Sequence, residues 1–548
     1  MWKFFKNLFL TLVSAFFGAL AFPSFMSNEG YPIFAFLFLI PLFYVVSTSS
    51  LKYSWFLGFS YGFVYYLIYN YWLKTFHPLA ILIAPILESL QYIILFIILT
   101  FLSKLFKKRS YIPISICYSA YLYLTQQGFL AYPYGNLTAT VYEYLPFIQI
   151  VDIGGIWLLG FIMVLPQALL CEMLVNKKLS NYRFDILTLI LIYILTLSYG
   201  CFRMHYYDGK SAEKTIRIAT VQHSADSWEG GYTTYARNFE TMKRLSLEAM
   251  KEDPDMVVWS ETAFVPSVPW HVNYPHNSFA SRLVSQFVEF GTSLEVPLVT
   301  GNPEGVIADE SKGPFLEDGS FNWKTYNTVM LFGNGKVVGT YRKQHLVPFT
   351  EHFPYGEQFP RLYQLLLDND YNWWETGDEA TVFDFNDLKF STPICFEDTF
   401  GYLSAAFVQN GAEVLINLSN DSWSGSVAAE MQHMQLSTFR AIENRRPLVR
   451  STNSGITCYV DVNGRVIDPL PPFIEAYNVY DVEIGKEQGL TFYTKHPDLF
   501  GKLLLVLAIL SLPIGIYVCI SRKRRERFDA LYLKYGALFD DISDFYEV

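Results

Sequence analysis

Apolar residues run almost without interruption through positions 1–203 and again through 501–520, whereas 204–499 alternates short apolar runs with acids, histidines and turn residues. A helix needs roughly 20 apolar residues to cross the hydrocarbon core of a bilayer. The runs at 5–24, 32–49, 54–73, 79–102, 111–129, 146–175, 184–202 and 501–520 therefore predict eight spanning helices. The first run has no small-x-small cleavage signature and is followed by further spans, so it reads as retained. The period changes between 204 and 499. Strand-like runs fall at Thr215–Gln222, Asp255–Trp259, Pro297–Gly301, Asn327–Phe332, Lys336–Arg342, Leu388–Cys395, Glu413–Leu418, Pro447–Val462 and Asn478–Ile484. Helical periodicity covers Tyr235–Glu252 and about Ala428–Asn444. Strands interleaved with helices predict layered sheets covered by helices. The organisation expected is a seven-span bundle over 1–203, an α/β domain over 204–499, a C-terminal span over 500–520 and a tail over 521–548.

Composition agrees with a membrane protein. The 548 residues are 51% hydrophobic and 17% charged, with mean hydropathy +0.21; soluble chains carry about 25% charged residues. A net charge of −10 excludes a nucleic-acid binder, which needs a basic footprint. Six scattered cysteines form neither a disulfide scaffold nor a CxxC metal site. Charge also orients the chain. With a cytoplasmic N-terminus, Lys3, Lys6, Lys52, Lys104, Lys107–Arg109, Lys177, Lys178, Arg183 and five basic residues within 522–527 all lie inside, while the short outer loops hold only Lys74. Residues 204–499 are then outside and the tail inside.

Three motifs end strand-like runs: Trp259-Ser260-Glu261-Thr262, Tyr341-Arg342-Lys343-Gln344-His345-Leu346-Val347-Pro348-Phe349 and Pro393-Ile394-Cys395-Phe396-Glu397-Asp398. They offer a carboxylate, an ammonium and a thiol. A thiolate is the strongest nucleophile available near neutral pH, and a nearby cation favours it. A carboxylate can carry the thiol proton, and an ammonium can stabilise an oxyanion. Taken singly, Cys395 reads as a small buried hydrophobe and Glu261 or Lys343 as solvated strand-end residues. Their co-occurrence in this order carries the inference.

That order and its surroundings resemble the nitrilase (carbon–nitrogen hydrolase) superfamily and, within it, the apolipoprotein N-acyltransferase family. The resemblance spans nearly the whole chain. It includes Ala131–Leu137, Gln149–Gly155, His345–Glu351, Asn417–Trp423, Gln432-His433, Arg440–Pro447 and Arg450–Ile456. It implies an αββα sandwich attached to the bundle. Cys395 would be the nucleophile, Lys343 the oxyanion stabiliser and Glu261 the general base, with Glu351 and Glu397 as supporting acids. Trp228, Phe396, Asn420 and Trp423 would contact substrate. The sequence departs from the family at Ser260 (Pro usual), Thr350 (Gly), Phe396 (Tyr) and Ser424 (Phe). The implied reaction moves an acyl chain from a membrane phospholipid through a Cys thioester to the N-terminal amine of a diacylated apolipoprotein. It needs no metal or organic cofactor, and the chain is taken to act as a monomer in a bacterial inner membrane with the catalytic domain periplasmic. A membrane-tethered amidase would share the three reacting groups and differ in acceptor. A transporter or lipid receptor would need more intramembrane charge than Glu88, Asp152 and Glu172 supply.

Other features read more plainly. His345, His433 and His496 have no metal-ligand spacing, and His433 reads as a helix-packing residue. Asn420-Asp421 reads as a turn pair. Glu88 faces a polar bundle interior or a functional path. The loop around Trp373 and Trp374 reads as a packed lid suited to a membrane surface, and Lys107–Arg109 and Arg522–Arg527 as topology signals.

An impermeant thiol reagent or protease added from outside should reach 204–499 and spare 521–548. A tag near Asp309 that is reachable only from the cytoplasm overturns this orientation.

Overall fold

The computed structural model describes residues 1–75, 78–177, 179–276, 278–368 and 373–543. Helices lie in each of the eight predicted apolar runs: Trp2–Leu20, Leu39–Thr48, Leu51–Tyr69, Ala80–Leu105, Tyr111–Leu124, Val151–Asn176, Arg183–Asp208 and Leu499–Ser543. Among the described residues five are long and apolar enough to cross a membrane, fewer than the eight expected: Trp2–Leu20, Ala80–Leu105, Val151–Asn176, Ser180–Asp208 and Leu499–Leu533. Leu39–Thr48 and Tyr111–Leu124 are short, at 10 and 14 residues. Leu51–Tyr69 carries five tyrosines, and Tyr61, Tyr65, Tyr66 and Tyr69 are buried in packing. Its Gly58 and Gly62 face Ala80–Leu105 so closely that an added Cβ would lie 2.4 Å from the Tyr92 carbonyl oxygen and 2.7 Å from the Ser89 Cα. Small residues four apart are how spanning helices reach close contact.

Residues 214–484 form two six-stranded sheets. The strands are β1 Lys214–Gln222, β2 Met256–Trp259, β3 Leu298–Gly301, β4 Glu304–Ile307, β5 Trp323–Tyr326, β6 Thr328–Gly333, β7 Lys336–Arg342, β8 Phe383–Phe385, β9 Leu388–Ser391, β10 Val414–Ser419, β11 Leu448–Thr452, β12 Cys458–Val460, β13 Val466–Ile467 and β14 Ala476–Ile484. One sheet runs β14-β1-β2-β3-β6-β7 and the other β13-β12-β11-β10-β9-β8; β4 and β5 form a separate hairpin. Strands β1–β3 are parallel, as are β9–β11, and antiparallel strands close the edges. Central strands are apolar on both faces because both faces are covered. Val414–Ser419 and Leu448–Thr452 are buried at every position.

The sheets stack face to face, with β11 against β1 and β2. Ser451 Oγ donates to the Val258 carbonyl (3.1 Å) and Thr457 Oγ1 to Gln222 Oε1 (2.8 Å) across the seam. Helices Tyr232–Ala249 and Phe279–Ser293 cover the first sheet through Phe239, Met242, Leu245, Phe287 and Phe290, which pack on Trp259 and Phe332. Gly401–Gln409, Val427–Ser437 and Phe439–Asn444 cover the second through residues such as Phe407, Phe439 and Ile442. The result is a helix–sheet–sheet–helix sandwich.

The run Pro447–Val462, expected as one strand, is two, because the segment between β11 and β12 reverses direction and the two pair antiparallel. The expected helix 428–444 is likewise two. The sandwich is docked on the bundle by buried polar contacts. Arg445 pairs with Asp152 (2.7 Å) and donates to Gln149 Oε1 (2.7 Å), and Arg203 reaches the same Asp152 (2.9 Å). Gln432 accepts from Trp72 Nε1 (3.0 Å) and donates to the Pro23 carbonyl (2.8 Å).

Removing one partner of a buried ion pair costs about 3–5 kcal/mol, against about 0–1 for an exposed pair. Arg445→Met should therefore lower the thermal midpoint in detergent by several degrees, while Lys214→Ala, which breaks the half-exposed Glu413 pair, should barely move it. Equal midpoints for the two variants would show that Asp152 is not the anchor.

Candidate active site

The ends of β2, β7 and β9 converge. Lys343 follows β7 directly and its side chain is fully buried. A buried ammonium must be paired. Its Nζ donates to Glu261 Oε1 (3.1 Å) and Glu351 Oε1 (2.8 Å). Both carboxylates have further donors. Asn327 Nδ2 bonds Glu261 Oε1 (2.8 Å) and Glu351 Oε1 (3.1 Å), the Asn420 amide N–H bonds Glu261 Oε2 (2.9 Å) and the Val347 N–H bonds Glu351 Oε2 (2.8 Å).

Cys395 lies four residues beyond β9, at the start of a 3₁₀ turn, with φ +53°. A left-handed non-glycine residue is strained and persists where its surroundings fix it. Here Asn417 Nδ2 donates to the carbonyls of Pro393 (3.1 Å) and Cys395 (2.9 Å). Glu397, fully buried, accepts from the N–H groups of Ile394 (2.7 Å), Gln344 (2.8 Å) and His345 (2.9 Å) and from the Tyr341 hydroxyl (2.9 Å). One carboxylate thus clamps the Cys395 turn to the Lys343 loop. Burial pushes Glu397 up to about 7, against the pull of these backbone donors.

Electrostatics departs from the expectation that the cation would hold a thiolate. Burial first, and Glu261 second, push the Cys395 thiol well above its usual range, and Lys343 only partly opposes them. The resting group is a thiol that needs a base. Burial also raises Glu261, partly countered by Lys343 and reinforced by Glu351, which suits it to that task. Burial alone would lower Lys343, but Glu261 and Glu351 outweigh it and the ammonium is retained.

The residues read as substrate contacts sit in unlike settings around the site. Phe396 is buried with its ring 5.5 Å from Lys343 Nζ and 5.3 Å from the rings of His345 and Phe400, so its missing hydroxyl is replaced by apolar packing. The Asn420 side chain accepts from Asn453 Nδ2 (2.9 Å) and Ser227 Oγ (2.9 Å), which makes it a loop-holding group. Trp423 packs on Trp72 of the membrane part, ring centres 5.5 Å apart. Trp228 is 58% exposed on the Ser224–Gly231 loop. Of the loop around Trp373 and Trp374, residues 369–372 lie outside the described residues; Trp373 packs with Phe353 and Tyr363. Sequence reasoning missed Asn327, whose only signal is its place at the start of a strand. It also read His433 as packing, whereas His433 bridges Asp398 and Asp421.

Residues 217–489 match the carbon–nitrogen hydrolase family model, and residues 14–169 match that of the apolipoprotein N-acyltransferase N-terminal domain. Fold and site therefore define a carbon–nitrogen hydrolase-type enzyme domain joined to a membrane part. The chain is 38% identical to apolipoprotein N-acyltransferase 1 of Treponema denticola over 92% of its own length and 95% of that protein. It is 34% identical to apolipoprotein N-acyltransferase 1 of Treponema pallidum, covering 87% and 89%. A second Treponema denticola relative, apolipoprotein N-acyltransferase 2, is 30% identical, covering 96% and 100%. The chain belongs to the apolipoprotein N-acyltransferase family and is an N-acyltransferase.

Asn327 lowers Glu261 by hydrogen bonding its ionised form. Asn327→Leu should therefore raise Glu261 and move the acidic limb of the acyl-transfer rate to higher pH. An unmoved limb would mean that Glu261 is not the group that titrates there.

Proposed function

We propose that Cys395, Lys343 and Glu261 carry out a two-step acyl transfer, from a membrane phospholipid to the N-terminal amine of an S-diacylglyceryl-cysteine on a lipoprotein. The observation that carries this reading is the Lys343 ammonium. Of its three N–H donors, two are spent on Glu261 and Glu351 among the described residues, and one is left for a developing oxyanion. Glu261 takes the Cys395 proton as sulfur attacks the ester carbonyl, and Lys343 holds the oxyanion. Collapse breaks the ester C–O bond, and Glu261 returns the proton to the departing lysophospholipid, leaving a thioester. The acceptor amine then attacks the thioester carbon and loses its proton to Glu261. Cleavage of the C–S bond releases the amide, and the sulfur recovers the proton.

Because the resting thiol is buried and protonated, charge on sulfur is confined to the acyl-transfer steps. Exclusion of water also protects the thioester from hydrolysis. The membrane part supports a lipid donor, since it packs directly on the loop after β10 through Trp72 and through Thr75, which donates to the Ser424 carbonyl (2.7 Å). Our reading keeps eight spans, both termini cytoplasmic, residues 204–499 periplasmic and a monomeric enzyme. The basic residues confined to one set of loops support the orientation.

Cys395→Ser should abolish acyl-enzyme formation and leave membrane insertion intact, with Cys201→Ser, altered at an exposed cysteine, as the active control. Lys343→Met should slow formation and decay of the thioester alike, each by about 10²–10³. Glu261→Gln should differ. In single-turnover transfer from pre-acylated enzyme to a diacylated lipopeptide, its defect should ease above pH ~8, where a model α-amine loses its proton unaided. Recovery at high pH in Lys343→Met and none in Glu261→Gln would reverse the two roles.

A further inference from the structure

A second buried cluster lies behind the nucleophile. His433, on helix Val427–Ser437, is 1% exposed, and each ring nitrogen meets a different carboxylate. Nε2 is 3.0 Å from Asp398 Oδ1 and Nδ1 is 2.9 Å from Asp421 Oδ1. Both acids adjoin working groups. Asp398 shares the 3₁₀ turn Cys395–Thr399 with the nucleophile. Asp421 follows Asn420, whose amide N–H holds Glu261. Arg450 on β11 bonds Asp398 and stands 3.8 Å from Asp421. Glu430, on the same helix as His433, accepts from Ser424 Oγ (2.6 Å), and a Cβ on Gly455 would lie 2.7 Å from the Glu430 carboxylate and 2.8 Å from that of Asp421. Tyr134 of the membrane part packs its ring 6.2 Å from that of His433. Among the described residues, these are the charged and titratable groups that face the imidazole.

An imidazole can donate to two carboxylates only when both nitrogens carry hydrogen. The neutral form would turn a lone pair toward one of them. We propose that His433 is a positioning residue which, as an imidazolium, ties the turn carrying Cys395 to the loop holding Glu261 and so fixes the thiol–carboxylate geometry needed for proton transfer. The proposal rests on the roles given above to Cys395 and Glu261. Burial alone would lower His433, but Asp421 and Asp398 outweigh it, with Arg450 opposing, and lift it to about 9. Arg450 spans the same acids yet stays charged at any working pH. Of the two cations in the cluster, His433 is therefore the one that alkali can switch off.

The sign follows from the raised value. The strut is complete below about pH 9 and is lost as pH rises through it. The test is the rate of acyl-enzyme formation on Cys395 by the full-length protein in lipid nanodiscs from pH 6 to 10. The native rate should fall with a midpoint near 9. His433→Gln keeps one donor and turns its oxygen toward the other acid. It should be about 10- to 100-fold slower at neutral pH, flat across the alkaline range and unchanged in donor KM. Asp421→Asn should shift the falling limb to lower pH by removing a carboxylate that raises His433. This second variant keeps the test decisive if His433→Gln does not fold. A native rate with no alkaline fall, a His433→Gln enzyme with native rate and limb, or an unmoved limb in Asp421→Asn overturns the proposal. Acyl-enzyme formation by Cys395→Ser would instead sink the underlying assignment, so the two failures are distinguishable.

Discussion

The structure around the site is organised by one constraint: the ammonium of Lys343 is wholly removed from water. Such a charge is tolerated only with counter-charges and full hydrogen bonding. Glu261 comes from the end of β2, Glu351 from the loop after β7, and each is tied to further chain by Asn420, Asn327 and Val347. Because β10, which leads into Asn420, belongs to the second sheet, the triad is satisfied only when the two sheets face one another in register. The site thus depends on the sandwich, and satisfying the ammonium in turn selects that packing.

Cys395 is held by the same logic carried one layer outward. Glu397 has no contact with solvent and is saturated by three backbone N–H groups and a tyrosine. Those donors belong to the Cys395 turn, the Lys343 loop and the end of β7, so movement of one drags the others. The left-handed Cys395 needs such over-determination. Attachment to the bundle repeats the device at larger scale. Arg445 and Arg203 converge on Asp152, and Gln432 reaches the Pro23 carbonyl. Since Gln432 is the neighbour of His433, the surface docked on the membrane part and the cluster behind Cys395 share one helix.

How much of this was legible in the sequence depends on where each signal is stored. Glu261, Lys343 and Cys395 could be found because they sit in local motifs at the ends of short apolar runs, a signal that survives in one dimension. The parallel strands were legible for the same reason. Asn327, Asp398 and the bridging role of His433 were not, because their partners lie 24 to 66 residues away for Asn327 and 12 to 35 for His433. Hydropathy alone says least at Leu51–Tyr69, which is not among the five long apolar helices. Its buried tyrosines and glycines serve helix packing, a property that a transfer scale does not measure. The run 447–462 kept strand character throughout, and only the buried turn at Asn453–Gly455 divides it.

Charge accounting explains why two clusters are needed and why they stay apart. Around Lys343, two carboxylates face one ammonium, and burial raises Glu261 toward its protonated form. Moving the Cys395 proton to Glu261 therefore transfers a negative charge from oxygen to sulfur without creating one, and Lys343 remains beside both. Around His433, Asp398 and Asp421 face Arg450 and an imidazolium, while burial and Asp421 hold Glu430 well above the usual carboxylate range. That set is near neutral as it stands. A surplus charge there would act on the thiol through a low-dielectric interior, where unit charges interact far more strongly than in water. A balanced second cluster can brace the Cys395 turn without overriding the proton exchange proposed between Cys395 and Glu261.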